Sequence, residues 1–236
     1  MGRGSATTPG GDLADAVRTA LAAHADPVRA VGQQRYMKST LPYLGLTTPT
    51  LRRAVRPVLA DPAYRITERS QWEGTVRRLW HEATHREHWY AALALLGHRR
   101  YRSWHDPALV PLLEELIRTG AWWDVVDSLA THEVRDLLLA RPAELAPTLR
   151  RWSRDESLWV RRAAVLAQVG AKDRTDTDLL RDVVEATLED PDVFARKAIG
   201  WALRDYARTD PEWVRAFVDA HPRLSALSRR EALKHL

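Results

Sequence analysis

Trp159-Val-Arg-Arg-Ala-Ala-Val-Leu166 decides the fold, because the chain repeats its pattern at Phe194-Ala-Arg-Lys-Ala-Ile-Gly-Trp201. The two segments stand 35 residues apart. Each opens on an aromatic side chain, places a cation three positions on (Arg162, Lys197) and continues with small and apolar residues. Further out, Ala91-Ala-Leu-Ala94 aligns with Ala163-Ala-Val-Leu166 at an offset of 72, two such periods, and Trp123 lies 36 residues before Trp159. A period of this length marks stacked supersecondary units, each unable to bury its apolar face alone.

The units are helix pairs. Leu13, Val17 and Leu21 recur every four residues, as do Leu51, Val55 and Leu59, and Leu109, Leu112, Leu113, Leu116 and Ile117 form one stripe. Asp26-Pro27, Thr48-Pro49 and Asp106-Pro107 each read as an N-cap followed by proline at the first helical position. Ser70-Gln-Trp-Glu73, Thr84-His-Arg-Glu87 and Ser228-Arg-Arg-Glu231 have capping-box form, and Gly120 reads as a helix stop. No segment alternates with the period of a strand. The expected fold is all-α: a HEAT-like helical-repeat superhelical solenoid with a long concave face. One domain over residues 12–236, of about six helix pairs, follows a Gly/Thr/Pro-containing tail over 1–11 that is expected to be flexible.

Composition narrows the function classes. The chain has 236 residues, a net charge of +5 and a pI near 9.8, which puts nucleic acid first among partners. It has no cysteine, which excludes disulfides, thiol nucleophiles and thiolate metal sites and fits a reducing, cytoplasmic setting. No apolar run is long enough to span a bilayer, so no membrane association is expected.

In a stack of helix pairs the equivalent helix of each pair lines one surface. That surface is expected to carry Trp159 and Arg162, then Lys197, Trp201 and Arg204, with Trp123 and Asp127 on the preceding helix. Cations along such a groove neutralise phosphates, and aromatic faces contact sugars or bases. Trp122 and Trp123 are adjacent and cannot share a helical face. Trp123 stands four residues before Asp127 and is taken to face the groove, with Trp122 packing. Trp72, Trp80, Trp89, Trp152 and Trp213 lie in apolar stripes and are assigned to packing. His81-Glu82-Ala83-Thr84-His85 matches the H-E-x-x-H pattern, which needs both histidines on one continuous helical face. Thr84 reads as an N-cap that cuts the motif, so neither a metal nor a cofactor is expected.

Arg35-Tyr-Met-Lys38, Tyr43-Leu-Gly-Leu-Thr-Thr-Pro49, Trp122-Trp-Asp-Val-Val-Asp-Ser128, Trp159-Val-Arg-Arg-Ala-Ala164 and Lys197-Ala-Ile-Gly-Trp-Ala-Leu-Arg204 together resemble the AlkD family of bacterial DNA glycosylases, as does Leu227-Ser-Arg-Arg-Glu-Ala-Leu-Lys234. The resemblance runs from about residue 12 to the end. It implies monofunctional hydrolysis of the N-glycosidic bond of cationic N3- or N7-alkylated purines, such as 3-methyladenine and 7-methylguanine, in duplex DNA, without enclosing the base in a pocket. It implies Asp127 as the catalytic carboxylate with Trp123 and Trp201 beside it, Arg162 and Tyr36 in the same cleft, and Lys197, Arg204 and Trp159 toward the DNA. A monomer without cofactor is expected. Two alternatives stand beside this: a self-resistance glycosylase acting on bulky adducts of a DNA-alkylating natural product, and a non-catalytic helical-repeat scaffold that binds DNA. Asp127 separates the second, since a carboxylate in a phosphate-binding groove serves a scaffold no purpose.

Overall fold

A computed structural model describes residues 12–236; the tail expected over 1–11 lies outside the described residues. All regular structure among the described residues is helical, in two compact units divided along the chain between Arg102 and Ser103. No described helix is long and apolar enough to cross a membrane.

The first unit contains α1 (Leu13–Ala22), α2 (Pro27–Met37), α3 (Thr48–Ala60), α4 (Arg69–His81) and α5 (Arg86–Leu96). Asp12 starts α1 by accepting the N–H groups of Ala14 and Asp15, and Asp26 starts α2 ahead of Pro27 by accepting that of Arg29. The cap of α3 is Thr47, one residue earlier than the Thr48-Pro49 pattern indicated. The every-fourth stripe of α1 is fully buried, with α1 packed on α3 and α4 on α5. Trp72 and Trp80 lie in this core, and Trp80 stacks on Trp89 with ring centroids 4.7 Å apart. Helix α2 differs: it buries only Ala30 and Met37 and leaves Val28, Val31 and Tyr36 exposed.

The second unit contains α6 (Val110–Gly120), α7 (Trp123–Leu129), α8 (Arg135–Ala140), α9 (Pro142–Trp152), α10 (Leu158–Leu166), α11 (Thr177–Thr187), α12 (Val193–Tyr206), α13 (Pro211–Ala220) and α14 (Ala226–Ala232). Helix α7 packs on α10, α10 on α12 and α12 on α14, while α9 and α11 pack on each other and on α10. The period seen in the sequence is the spacing at which side chains meet. Arg118 binds Asp155, Arg162 binds Asp127, the Gly170 N–H binds the Asp205 carboxylate and His221 binds Glu185, at separations of 37, 35, 35 and 36 residues. Helices α12 and α14 approach closely at Gly200, where a Cβ would stand 2.5 Å from Glu231 Cβ.

None of the three capping boxes forms. Helix α4 begins at Arg69, and Glu73 pairs with Arg69 and Arg77; α14 is capped by Ser225, and Glu231 pairs with Arg204. Glu87 turns away from its own helix start and binds the backbone of residues 44–46. A carboxylate offered an arginine or several converging N–H groups gains more there than at one helix-end N–H.

Candidate active site

The site is built on α7. Gly120 is the last residue of α6, and Ala121 takes the left-handed conformation at φ 38° that reverses the chain. L-residues other than glycine, asparagine and aspartate rarely adopt it, so strain is stored one residue before the site. Trp122 follows in extended conformation as an N-cap without a side-chain cap bond, and α7 runs for seven residues. Val125, Val126 and Leu129 are buried, which leaves Trp123 and Asp127 together on the less buried side. A single π turn over Ala130–Val134 leads directly into α8, and the Thr131 hydroxyl donates to the Asp127 carbonyl at 2.7 Å. Such one-residue insertions into helices often accompany functional sites.

Arg162 reaches Asp127 from α10. Its Nε donates to Oδ1 at 2.7 Å and its Nη2 to Oδ2 at 2.8 Å, a bidentate pair, and Nη1 donates to the Phe194 carbonyl at the start of α12. Three successive repeats thus meet at one guanidinium. The pair is nearly dry: the side chains of Arg162 and Asp127 are 6% and 15% exposed. Burial pushes the Asp127 carboxyl above its ordinary value; the hydrogen bonds and charge of Arg162 oppose that rise, and the charge of Asp124 adds to it.

Trp122, Trp159 and Phe194 form a three-ring cluster beside the pair, with centroids 5.8, 5.5 and 5.2 Å apart. The residue equivalent to Trp159 one repeat earlier is therefore Trp122, not Trp123. Packing of Trp122 agrees with the sequence expectation, and its buried Nε1–H has no acceptor among the described residues. Trp123, at the first position of α7, stands outside this cluster and is half-buried, as is Trp201 on α12. Lys197 is exposed on α12, whereas Arg204 on the same helix is paired with Glu231. Tyr36 is 76% exposed on α2 of the first unit. Phe194 escaped the sequence assignment, although its alignment with Trp159 was the available signal: aligned positions of adjacent repeats are neighbours.

The H-E-x-x-H motif is broken by a helix boundary. His81 ends α4, Glu82 is its C-cap and pairs with Arg18 and Arg78, and His85 precedes α5. The boundary falls at His85, one residue beyond the expected Thr84.

Fold and site together define a class: an all-helical repeat protein with a dry carboxylate–guanidinium pair flanked by indoles. The chain belongs to the family described as DNA alkylation repair enzyme, whose pattern matches residues 17–236. A solved structure described as a predicted DNA alkylation repair enzyme from Enterococcus faecalis is 26% identical, with a TM-score of 0.78 over 90% of this chain and 96% of that one. No curated protein matches significantly.

Proposed function

We propose that the chain is a monofunctional DNA glycosylase that hydrolyses the N-glycosidic bond of cationic N3- or N7-alkylated purines in duplex DNA. The observation that carries this is Asp127, an aspartate held in fixed orientation by a buried arginine in a family of alkylation repair enzymes. Alkylation at N3 or N7 makes the base a cation, which leaves as a neutral molecule without a general acid. The group needing help is the deoxyribose, which gains positive charge as the bond breaks. A preorganised carboxylate stabilises that charge and orients the attacking water. Each Asp127 oxygen takes one hydrogen bond from Arg162 and keeps a lone-pair direction for water or for the developing cation. The hydrogen bonds and charge of Arg162 favour the ionised carboxylate and oppose the effect of its burial. The Trp123 and Trp201 faces flank the sugar and favour its positive charge. Lys197, Tyr36 and Trp159 contact the DNA. Arg204, engaged with Glu231, contributes mainly to packing.

The test is release of free 3-methyladenine or 7-methylguanine from methylated duplex DNA. Loss of the preorganised charge in Asp127→Asn is expected to slow release by about 100- to 1000-fold. Absence of any released base from the native protein, bulky adducts included, would sink the enzyme assignment. Undiminished release by Asp127→Asn would leave the activity standing and reject this mechanism.

A further inference from the structure

In the first unit, the tripeptide Leu44-Gly45-Leu46 has every main-chain polar group engaged, in two opposite directions. Its three N–H groups donate to the carboxylate of Glu87 on α5: Leu44 at 2.9 Å, Gly45 at 2.9 Å and Leu46 at 3.1 Å. Its three carbonyls accept from α2 and its cap. The Asp26 N–H reaches Leu44 O at 2.7 Å, Arg29 Nη1 reaches Gly45 O at 3.0 Å and Gln33 Nε2 reaches Leu46 O at 2.9 Å. Gly45 sits at φ +92°, and a Cβ there would lie 2.0 Å from the Asp26 carbonyl, so the tripeptide lies directly against α2.

Glu87 is fully buried. Three converging N–H groups form a nest that suits an anion, and the carboxylate fixes the tripeptide as a rigid unit. This matters for α2 because little else among the described residues holds it. With only Ala30 and Met37 buried, the helix lacks the apolar face that fixes its neighbours. Its outer surface carries Val28, Val31 and Tyr36 beside the exposed Arg35 and Lys38. Cations interleaved with an exposed aromatic suit a phosphate backbone and its sugars.

We propose that Glu87 is a positioning residue for DNA binding: through residues 44–46 it sets where α2 presents Tyr36, and it never touches the DNA. This rests on the glycosylase assignment only in taking the α2 surface as a DNA contact. A glutamine at 87 turns an amide N–H₂ toward backbone N–H groups, so at least one bond is lost and donor faces donor.

The experiment measures the dissociation constant for undamaged duplex by fluorescence anisotropy, and single-turnover base release at saturating methylated duplex. Four proteins are compared: native, Glu87→Gln, Tyr36→Ala and the double variant. Glu87→Gln is expected to weaken binding about tenfold, the loss of the Tyr36 contact with the DNA, and to leave the saturated rate unchanged. The double variant is expected to bind little worse than Glu87→Gln alone, since a displaced α2 has already lost the Tyr36 contact. Additive effects, or a lowered Tm with unchanged affinity, overturn the proposal. If Glu87→Gln fails to fold, Gln33→Ala, which removes one link, carries the same comparison and must weaken binding in the same direction. A native protein that binds duplex but releases no base defeats the glycosylase assignment and leaves the role of Glu87 to be decided by the affinities.

Discussion

Replacing Arg162 by alanine leaves the Asp127 carboxylate buried without its counter-ion, and the pH dependence of the damage follows from the geometry. In the native protein both carboxylate oxygens are satisfied by the guanidinium, at 2.7 and 2.8 Å. In Arg162→Ala the carboxyl either stays charged in a dry site or takes a proton. Breaking a buried pair in the first way costs about 3–5 kcal/mol. The second route sets a ceiling, because a carboxyl with an ordinary value of 3.8 is neutralised at pH 7 for about 4 kcal/mol, at 1.36 kcal/mol per pH unit. At pH 5 the same ceiling is only about 1.6 kcal/mol. Urea denaturation of native and Arg162→Ala proteins should therefore give a loss of about 3–4 kcal/mol at pH 7 that shrinks to about 1–2 kcal/mol at pH 5. Base release by the variant should show its acid limb at higher pH, because the influence that lowers the Asp127 value is gone while burial, which raises it, remains. A loss equal at both pH values would refute the reasoning, since Asp127 would then be solvated and ionised without Arg162.

Three further substitutions test the packing within each unit. Burial, aided by the charges of Arg18 and His85, holds His88 down to about 4 from 6.5, in agreement with the Thr84 N–H donating to its Nδ1. The unfolded chain takes up this proton and the folded chain does not, so stability is full above pH 6.5 and falls by up to about 3 kcal/mol as pH drops toward 4. His88→Gln should flatten that part of the Tm–pH curve; an unchanged slope would exclude His88 as its source. Gly200→Ala sets a Cβ 2.5 Å from Glu231 Cβ and 3.3 Å from the Ser228 carbonyl. Overpacking of about 1–3 kcal/mol, less about 1 kcal/mol of helix preference, predicts a net loss near 1 kcal/mol. Gly74→Ala on α4, with open space around it, should instead gain stability, and calorimetry of the two variants checks the contrast.

The helical repeat was legible because its signal is collective: a 35-residue offset between two eight-residue segments, supported by stripes in most helices. Individual helix starts were less so. The aspartate–proline start at Asp26 held, and Asp106 caps a 3-10 turn over Pro107–Leu109 that runs into α6, because a short acid bound to its own helix end has little reach toward anything else. Glutamates have that reach, and Glu73, Glu87 and Glu231 all left their capping boxes for partners that no local pattern displays. The candidate site shows the same division. Asp127 and Arg162 were singled out by residue type and spacing, and their 35-residue separation is the repeat itself. Their direct bond, the third bond to Phe194 and the meeting of Trp122, Trp159 and Phe194 in one ring cluster depend on rotation about the helix axes. That rotation is set in part by the strained turn at Ala121, and alanine gives no hint of a left-handed conformation.

Because the carboxylate, its guanidinium and the carbonyl that steadies it come from three consecutive repeats, the site belongs to the seams between repeats. Repeat arrays behave approximately as nearest-neighbour chains, in which each seam opens with its own free energy. Melting α12 while α7 and α10 stay folded would free one arm of Arg162 and silence the proposed reaction before most of the helical signal was lost. Contacts spanning about one repeat also close over short stretches of chain, the topology of fast folding.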